Sequence, residues 1–186
     1  MKRRFTILAI ATFLSSTLMA AWDGSTKTPF SGSGTESDPY IIASEANLAY
    51  LATQVNSGTD YSGEYFKQTA DLDLNNKPWT PIGNSSKLFS GIYDGNGYVI
   101  DNLYYNDPTI QYVGLFGGIN NATLKNITIV SGFVYGKQYA AGICSFAKGS
   151  STITCCANAA TIYGKQERNA GIVGSIEEST NVNNCI

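Results

Sequence analysis

In the C-terminal half of the chain, apolar and polar residues alternate in short runs, and the alternation itself recurs. Val113-Gly114-Leu115-Phe116-Gly117, Ala141-Gly142-Ile143-Cys144-Ser145 and Ala170-Gly171-Ile172-Val173-Gly174 are three passes of one pattern, with 28 and then 29 residues between their first glycines. Between the passes, Leu124, Ile127 and Ile129 match Ile153, Cys156 and Asn158 once a single residue is inserted. Tyr135-Gly136-Lys137-Gln138 returns unchanged as Tyr163-Gly164-Lys165-Gln166. A fixed period of this size, built of short strands and turn residues, marks a solenoid and not a single globular core. Residues one period apart then stack in register, so each strand pairs in parallel with its copy on the next rung. One rung cannot bury enough apolar surface to offset the entropy of ordering its backbone, which is why such units come in arrays. The third pass stops just after Cys185, the match of Cys156. That leaves the last rung incomplete, and the chain is expected to continue as a longer β-helix or to close against a partner.

Upstream the period is different. Leu48, Leu51, Ala52 and Val55 fall at i, i+3, i+4 and i+7, the stripe of an amphipathic helix over about residues 45–56. Ser44 is placed to cap its first turn and Gly58 to end it in the left-handed conformation. A single helix ahead of stacked strands suggests a lid on the first rung. After Tyr61 the period becomes 2: in Tyr65 to Leu74, Leu72 and Leu74 share one side and Asp71 and Asp73 the other. Pro78-Trp79-Thr80-Pro81-Ile82-Gly83 breaks the strand. Asp94-Gly95-Asn96-Gly97 is a strong turn between strands expected at 88–93 and 98–104.

These patterns divide the chain into a lead-in at 22–38, an N-terminal cap at 39–64 and a parallel β-helix over 65–186. Residues 1–21 have the form of a secretory signal: Lys2, Arg3 and Arg4, an apolar run from Phe5 to Leu14, then small residues to Ala21. The apolar run is shorter than the ~20 residues that span a bilayer, and no Cys follows it to carry a lipid anchor. Export of this kind predicts a secreted or cell-surface protein with no membrane span once the signal is removed. Removal takes three of the 12 basic residues and none of the 14 acidic ones, so nine face 14. Without a basic patch to neutralise phosphates, nucleic-acid binding is not expected. Histidine is absent altogether, which rules out Ser-His-Asp and Cys-His catalysis and disfavours a zinc site.

The ordered motifs resemble those of the GLUG-motif proteins, named for glycine-leucine-any-glycine. Gly114-Leu115-Phe116-Gly117 fits the motif fully. Gly171-Ile172-Val173-Gly174 has Ile for Leu, and Gly142-Ile143-Cys144-Ser145 also lacks the last glycine. Gly34-Thr35-Glu36, Asp38-Pro39-Tyr40, Ala70 to Leu74, Trp79 to Gly83 and Phe89-Ser90-Gly91 with Asp94 to Gly97 look like the lead-in of the same group, so the resemblance covers about 34–186. The motif occurs in bacterial surface proteins and in the repeat region N-terminal to immunoglobulin-A1-specific metallopeptidases. The resemblance implies a right-handed parallel β-helix of about 28 residues per rung at the bacterial surface, usually treated as adhesive, with no catalytic residue to carry over.

Three residue groups could carry chemistry. Asp71 and Asp73, with Asp94 and Asp101 a rung on, could form a calcium or paired-carboxylate site like those of β-helical lyases and hydrolases. Solvent-facing and turn-stabilising roles account for them more simply. Tyr135 and Tyr163 should stack, with Tyr98, Tyr104, Tyr105 and Tyr112 adding rings nearby. Such a face could pack on sugar rings, although stacked tyrosines also simply stabilise neighbouring strands. Cys156 and Cys185 lie one period apart, which permits a disulfide without requiring one; stacked thiols are favoured. Cys144 takes the place of Phe116 and Val173 and reads as a buried apolar thiol. No metal or cofactor is expected. Taken together, the expected protein is an exported, non-catalytic β-helix that binds a glycan or another surface protein. Its rivals are a carbohydrate-active enzyme using the aspartates, and a structural stalk.

Overall fold

The computed structural model describes residues 21–26 and 28–186; apart from Ala21, the expected signal segment lies outside them. The described residues form a parallel β-solenoid of about five turns, with roughly 29 residues per turn and a single helix. β1 (Tyr40–Ile42) opens the array and is followed by α1 (Glu45–Ser57); β2 (Tyr65–Gln68), which stacks on β1, and β3 (Leu72–Asp73) are the strands of the first full rung. The second rung is β4 (Ile92–Asp94), β5 (Val99–Asp101), β6 (Leu103–Asn106), β7 (Gln111–Val113) and β8 (Ile119–Asn120). The third is β9 (Thr123–Lys125), β10 (Thr128–Ile129), β11 (Gly132–Gly136), β12 (Gln138–Ala140) and β13 (Cys144–Lys148). The last strands are β14 (Thr152–Thr154), β15 (Ala157–Asn158), β16 (Thr161–Gly164), β17 (Val173–Ile176) and β18 (Asn181–Asn183). Each strand pairs in parallel with its copy on the next rung, and the longest stack runs β1-β2-β4-β9-β14-β18.

The register agrees with the repeat spacing. Leu124 pairs with Ile153 and Ile129 with Asn158, as the one-residue insertion requires. Phe116, Cys144 and Val173 form one inward column, and Phe66, Tyr93, Leu124 and Ile153 another, all but fully buried. Gly114 and Gly142 owe their place to close approach between rungs. A Cβ on Gly114 would lie 2.6 Å from the carbonyl oxygen of Ala141, and one on Gly142 would lie 2.5 Å from that of Gly171. Ser145, which departs from the glycine pattern, is buried with its hydroxyl donating to the Tyr139 carbonyl.

Corners carry residues in the left-handed region, singly or in pairs. Asn126, Cys155 and Asn184 form one ladder of such residues (φ 57°, 53° and 53°), in the position that follows the paired strands β9, β14 and β18. Asp94-Gly95-Asn96-Gly97 turns the same corner on the second rung. Its flanking strands, β4 and β5, therefore lie in different sheets, and regular pairing begins at Ile92, not Leu88. Tyr65 to Leu74 is likewise split by a corner into β2 and β3.

The helix caps the first rung as the stripe predicts. The Ser44 hydroxyl accepts from the Asn47 N–H at 3.3 Å, Gly58 ends the helix at φ 114°, and Leu48, Leu51, Ala52 and Val55 are all buried. The lead-in has no regular structure, yet it is anchored. Trp22 packs on Trp79, Phe30 sits among Tyr40, Tyr50, Tyr61 and Phe66, and the Asn47 amide donates to the carbonyls of Thr28 and Pro29. The largest of the wholly enclosed polar side chains is satisfied: the Gln68 amide donates to Ala70 and Val99 carbonyls and accepts from the Tyr93 hydroxyl.

Candidate functional site

The outer face of the β6-β11-β16 sheet carries a strip of aromatic side chains. In these strands Leu103 and Val134 point inward and are buried, so the alternate positions point out. Register places Tyr104 beside Phe133 and Thr161, and Asn106 beside Tyr135 and Tyr163. Tyr104 and Phe133 stack with centroids 6.2 Å apart and planes 29° apart. Phe133 meets Tyr135 edge-on at 6.4 Å, and Tyr135 meets Tyr163 edge-on at 5.1 Å and 77°. The Asn106 amide donates to the Tyr104 hydroxyl at 3.1 Å. Tyr163 is 59% exposed and Phe133, which has no polar handle, is 36% exposed. Tyr135 and Tyr163 are thus register neighbours as expected, but their rings are perpendicular. Phe133 went unnoticed in the sequence, where its 29-residue spacing from Tyr104 was the available signal.

The other expected rings lie elsewhere. Tyr105 alternates with Tyr104 and is half-buried beside Val134; burial, then the Asp107 charge, raises its hydroxyl above the ordinary tyrosine range. Tyr112 belongs to β7, stacked on Tyr139 at 4.7 Å with planes only 7° apart. The Arg168 guanidinium lies 5.3 Å from the Tyr139 centroid and donates to its hydroxyl at 2.8 Å. Tyr98 belongs to the corner before β5.

The aspartates divide between two sheets. Asp73 pairs in register with Asp101, whereas Asp94 stands beside Lys67 and Lys125 on the next sheet of the rung. The placement of Asp94 with Asp71 and Asp73 as one group is therefore corrected: the turn at 94–97 carries it around the corner. Each carboxylate is committed to backbone or amide groups. Asp71 accepts from the Val99 N–H, and Asp73 from the Asn75 N–H and the Asn102 amide. Asp94 accepts from the Asn96 N–H and the Asn126 amide and pairs with Lys125 at 3.2 Å. Burial would raise its carboxyl, but those hydrogen bonds and the ammonium outweigh it and hold it below the usual range. Among the described residues, no group of three or more His, Cys, Asp or Glu side chains is placed to hold a metal ion.

All four cysteines are free thiols, Cys155 exposed and Cys144 buried. Burial pushes the Cys144 thiol far up and that of Cys156 up to about 12, the neighbouring Cys185 adding to the latter.

No family model matches the chain, and no solved structure matches it. Two curated proteins do. A protein of Evansella cellulosilytica named as a Gly-rich membrane protein is 31% identical over 105 residues, which are 55% of this chain and 12% of that protein. Halomucin of Haloquadratum walsbyi is 30% identical over 161 residues, 80% of this chain and 2% of its own length. The chain therefore spans only a small part of both relatives. Among the described residues, no helix is long and apolar enough to cross a membrane.

Proposed function

We propose that this chain is an exported, non-catalytic β-helix of the cell surface that binds glycans on the aromatic strip Tyr104, Phe133, Tyr135 and Tyr163. The observation that carries this function is the strip itself. A half-exposed tyrosine and a phenylalanine without a polar group stand on the outside of a sheet whose core is already closed. Rings that combine an apolar face with hydroxyl groups suit the apolar faces and hydroxyl rims of sugars. The names of the two relatives, a membrane protein and a mucin, support a place at the surface or outside the cell. The resemblance of the glycine motifs to bacterial surface repeats supports the same place.

A second function, hydrolysis or elimination on a polysaccharide by the aspartates, has less support, because Asp71, Asp73 and Asp94 each already accept from a backbone N–H. A plain stalk would need no exposed rings. Incubation with pectin-like and host glycans, with and without calcium, should yield neither new reducing ends nor unsaturated products. A glycan array should retain the protein, and a variant with all four ring residues changed to Ser should lose that retention. Product release would replace binding by catalysis, and retention of the variant would remove the strip.

A further inference from the structure

A cleft of about 170 Å³ lies where the end of α1 and the 80–84 segment meet the second rung. Asn56, Asn84, Tyr105, Ile110, Gln111 and Tyr112 line it, and among the described residues no Asp, Glu, Lys or Arg does. Its polar groups are held in place. The Asn56 amide donates to the Pro81 carbonyl at 2.9 Å and accepts from the Asn84 amide at 3.2 Å, while the Gln111 amide donates to Gln138 at 3.0 Å. Each keeps bonding capacity: Asn56, Asn84 and Gln111 have a second amide hydrogen apiece, and the Gln111 oxygen accepts nothing from the described residues.

The wall of the cleft is unusual. Tyr112, Tyr139 and Arg168 are in register on successive rungs, and all three adopt left-handed backbone angles (φ 62°, 56° and 65°). Bulky side chains avoid that region, and such conformations are retained where the side chain is needed. At the neighbouring corner two of three such places are filled by Asn, which tolerates it. Tyr139 covers one face of the Tyr112 ring, and Phe146 meets its edge at 5.8 Å. Tyr139 lies on the following rung, whereas Pro81 and Asn84 of the cleft lie on the preceding one. The free face of Tyr112 is therefore the face turned toward the cleft. Ile110, 46% exposed, adds apolar surface at the mouth.

We propose that this cleft is a second glycan subsite, which takes one uncharged pyranose residue on the free face of Tyr112 with its hydroxyls on Asn56, Asn84 and Gln111. It extends the glycan-binding function above but uses none of the strip residues. An apolar flat face suits the axial hydrogens of a pyranose, the rim of amides suits hydroxyls, and the uncharged lining disfavours uronic acids and phosphates.

The test is calorimetric titration with neutral hexasaccharides (cello-, chito-, malto-, manno- and galacto-series), joined to ¹H–¹⁵N spectra of the side-chain amides. The wild-type chain should bind at least one of them and shift the Asn56, Asn84 and Gln111 amide signals. Tyr112→Asn, which keeps a residue suited to the left-handed backbone, should fold and lower affinity about tenfold. Gln111→Ala should weaken binding by a smaller factor, and Tyr135→Ala with Tyr163→Ala should leave the cleft amide shifts in place. Binding lost only with the strip tyrosines, with cleft amides unshifted, would overturn the subsite and keep the strip. Binding lost only with Tyr112 and Gln111 would support the subsite and remove the strip. A wild-type chain that binds none of the series would overturn both.

Discussion

The first and last described rungs share one pattern of inward positions and differ in what lies over them. At the first rung α1 lays Leu48, Leu51, Ala52 and Val55 over the interior, and Phe30, Tyr40, Tyr61 and Phe66 close around it in an aromatic cluster. At the last strands the same inward columns lose their cover. Phe66, Tyr93, Leu124 and Ile153 are at most 1% exposed, but the next member of that column, Val182, is 37% exposed. Among the described residues, the far edges of β15, β16, β17 and β18 pair with no strand. One sequence pattern thus yields an enclosed position or an exposed one according to whether something lies on its next face, as nearest-neighbour stacking requires.

The sharpest way to break that comparison is to truncate one column at both ends. Phe66→Ala should cost about 3–5 kcal/mol in denaturant unfolding, because its ring is enclosed by Phe30, Tyr40, Tyr61 and Phe89. Val182→Ala in the same column should cost only about 0.5 kcal/mol. Equal losses would mean that the two ends are equally packed. Next in size is the helix that makes the difference. Ser44→Ala removes the acceptor for the Asn47 N–H and should lower stability by about 1 kcal/mol, read as a shift in the urea midpoint. An unchanged midpoint would show that the cap bond adds nothing to the lid.

Thiol chemistry maps the same gradient by rate. At pH 8, alkylation followed by peptide mass mapping should label exposed Cys155 first and half-exposed Cys185 later. Cys144 and Cys156 should stay unlabelled until the chain unfolds, since burial disfavours both thiolates. Rapid labelling of Cys144 would show that the interior opens.

The smallest effect concerns pH. Asp94 has a lowered pKa in the folded chain, so its contribution is complete above the ordinary aspartate value of ~3.9 and is lost as pH falls through the lower folded value. Melting temperature should therefore drop below about pH 4, and Asp94→Asn should reduce part of that drop. An identical acid profile in the variant would remove the Asp94–Lys125–Asn126 cluster from the account.

What could be read from the residues follows from the kind of force involved. Inward positions were legible because burial imposes strict alternation along a strand and a strict period between rungs; Leu124, Ile153 and Cys144 fell where the spacing put them. The cap was legible because Ser44 and Gly58 have chemical reasons to begin and end a helix. Corners were less so. Asn126 and Asn184 signal a left-handed residue, but Tyr112, Tyr139 and Arg168 reach the same conformation against their own preference, and nothing local in the sequence marks it. The ring geometry of the strip was hidden for a similar reason. Register sets which side chains are neighbours, whereas χ angles decide whether they stack or meet edge-on. The roles of the aspartates depend on partners 28 to 32 residues away, such as Val99 for Asp71 and Asn126 for Asp94.

The proposed division between a packed interior for stability and an outer strip for binding can be tested in one paired measurement. The Tyr135→Ala, Tyr163→Ala double variant should melt within a few degrees of the wild-type chain while losing affinity for the glycan that the array identifies. Unchanged affinity, or a collapse of stability that alone accounts for the loss, would contradict it.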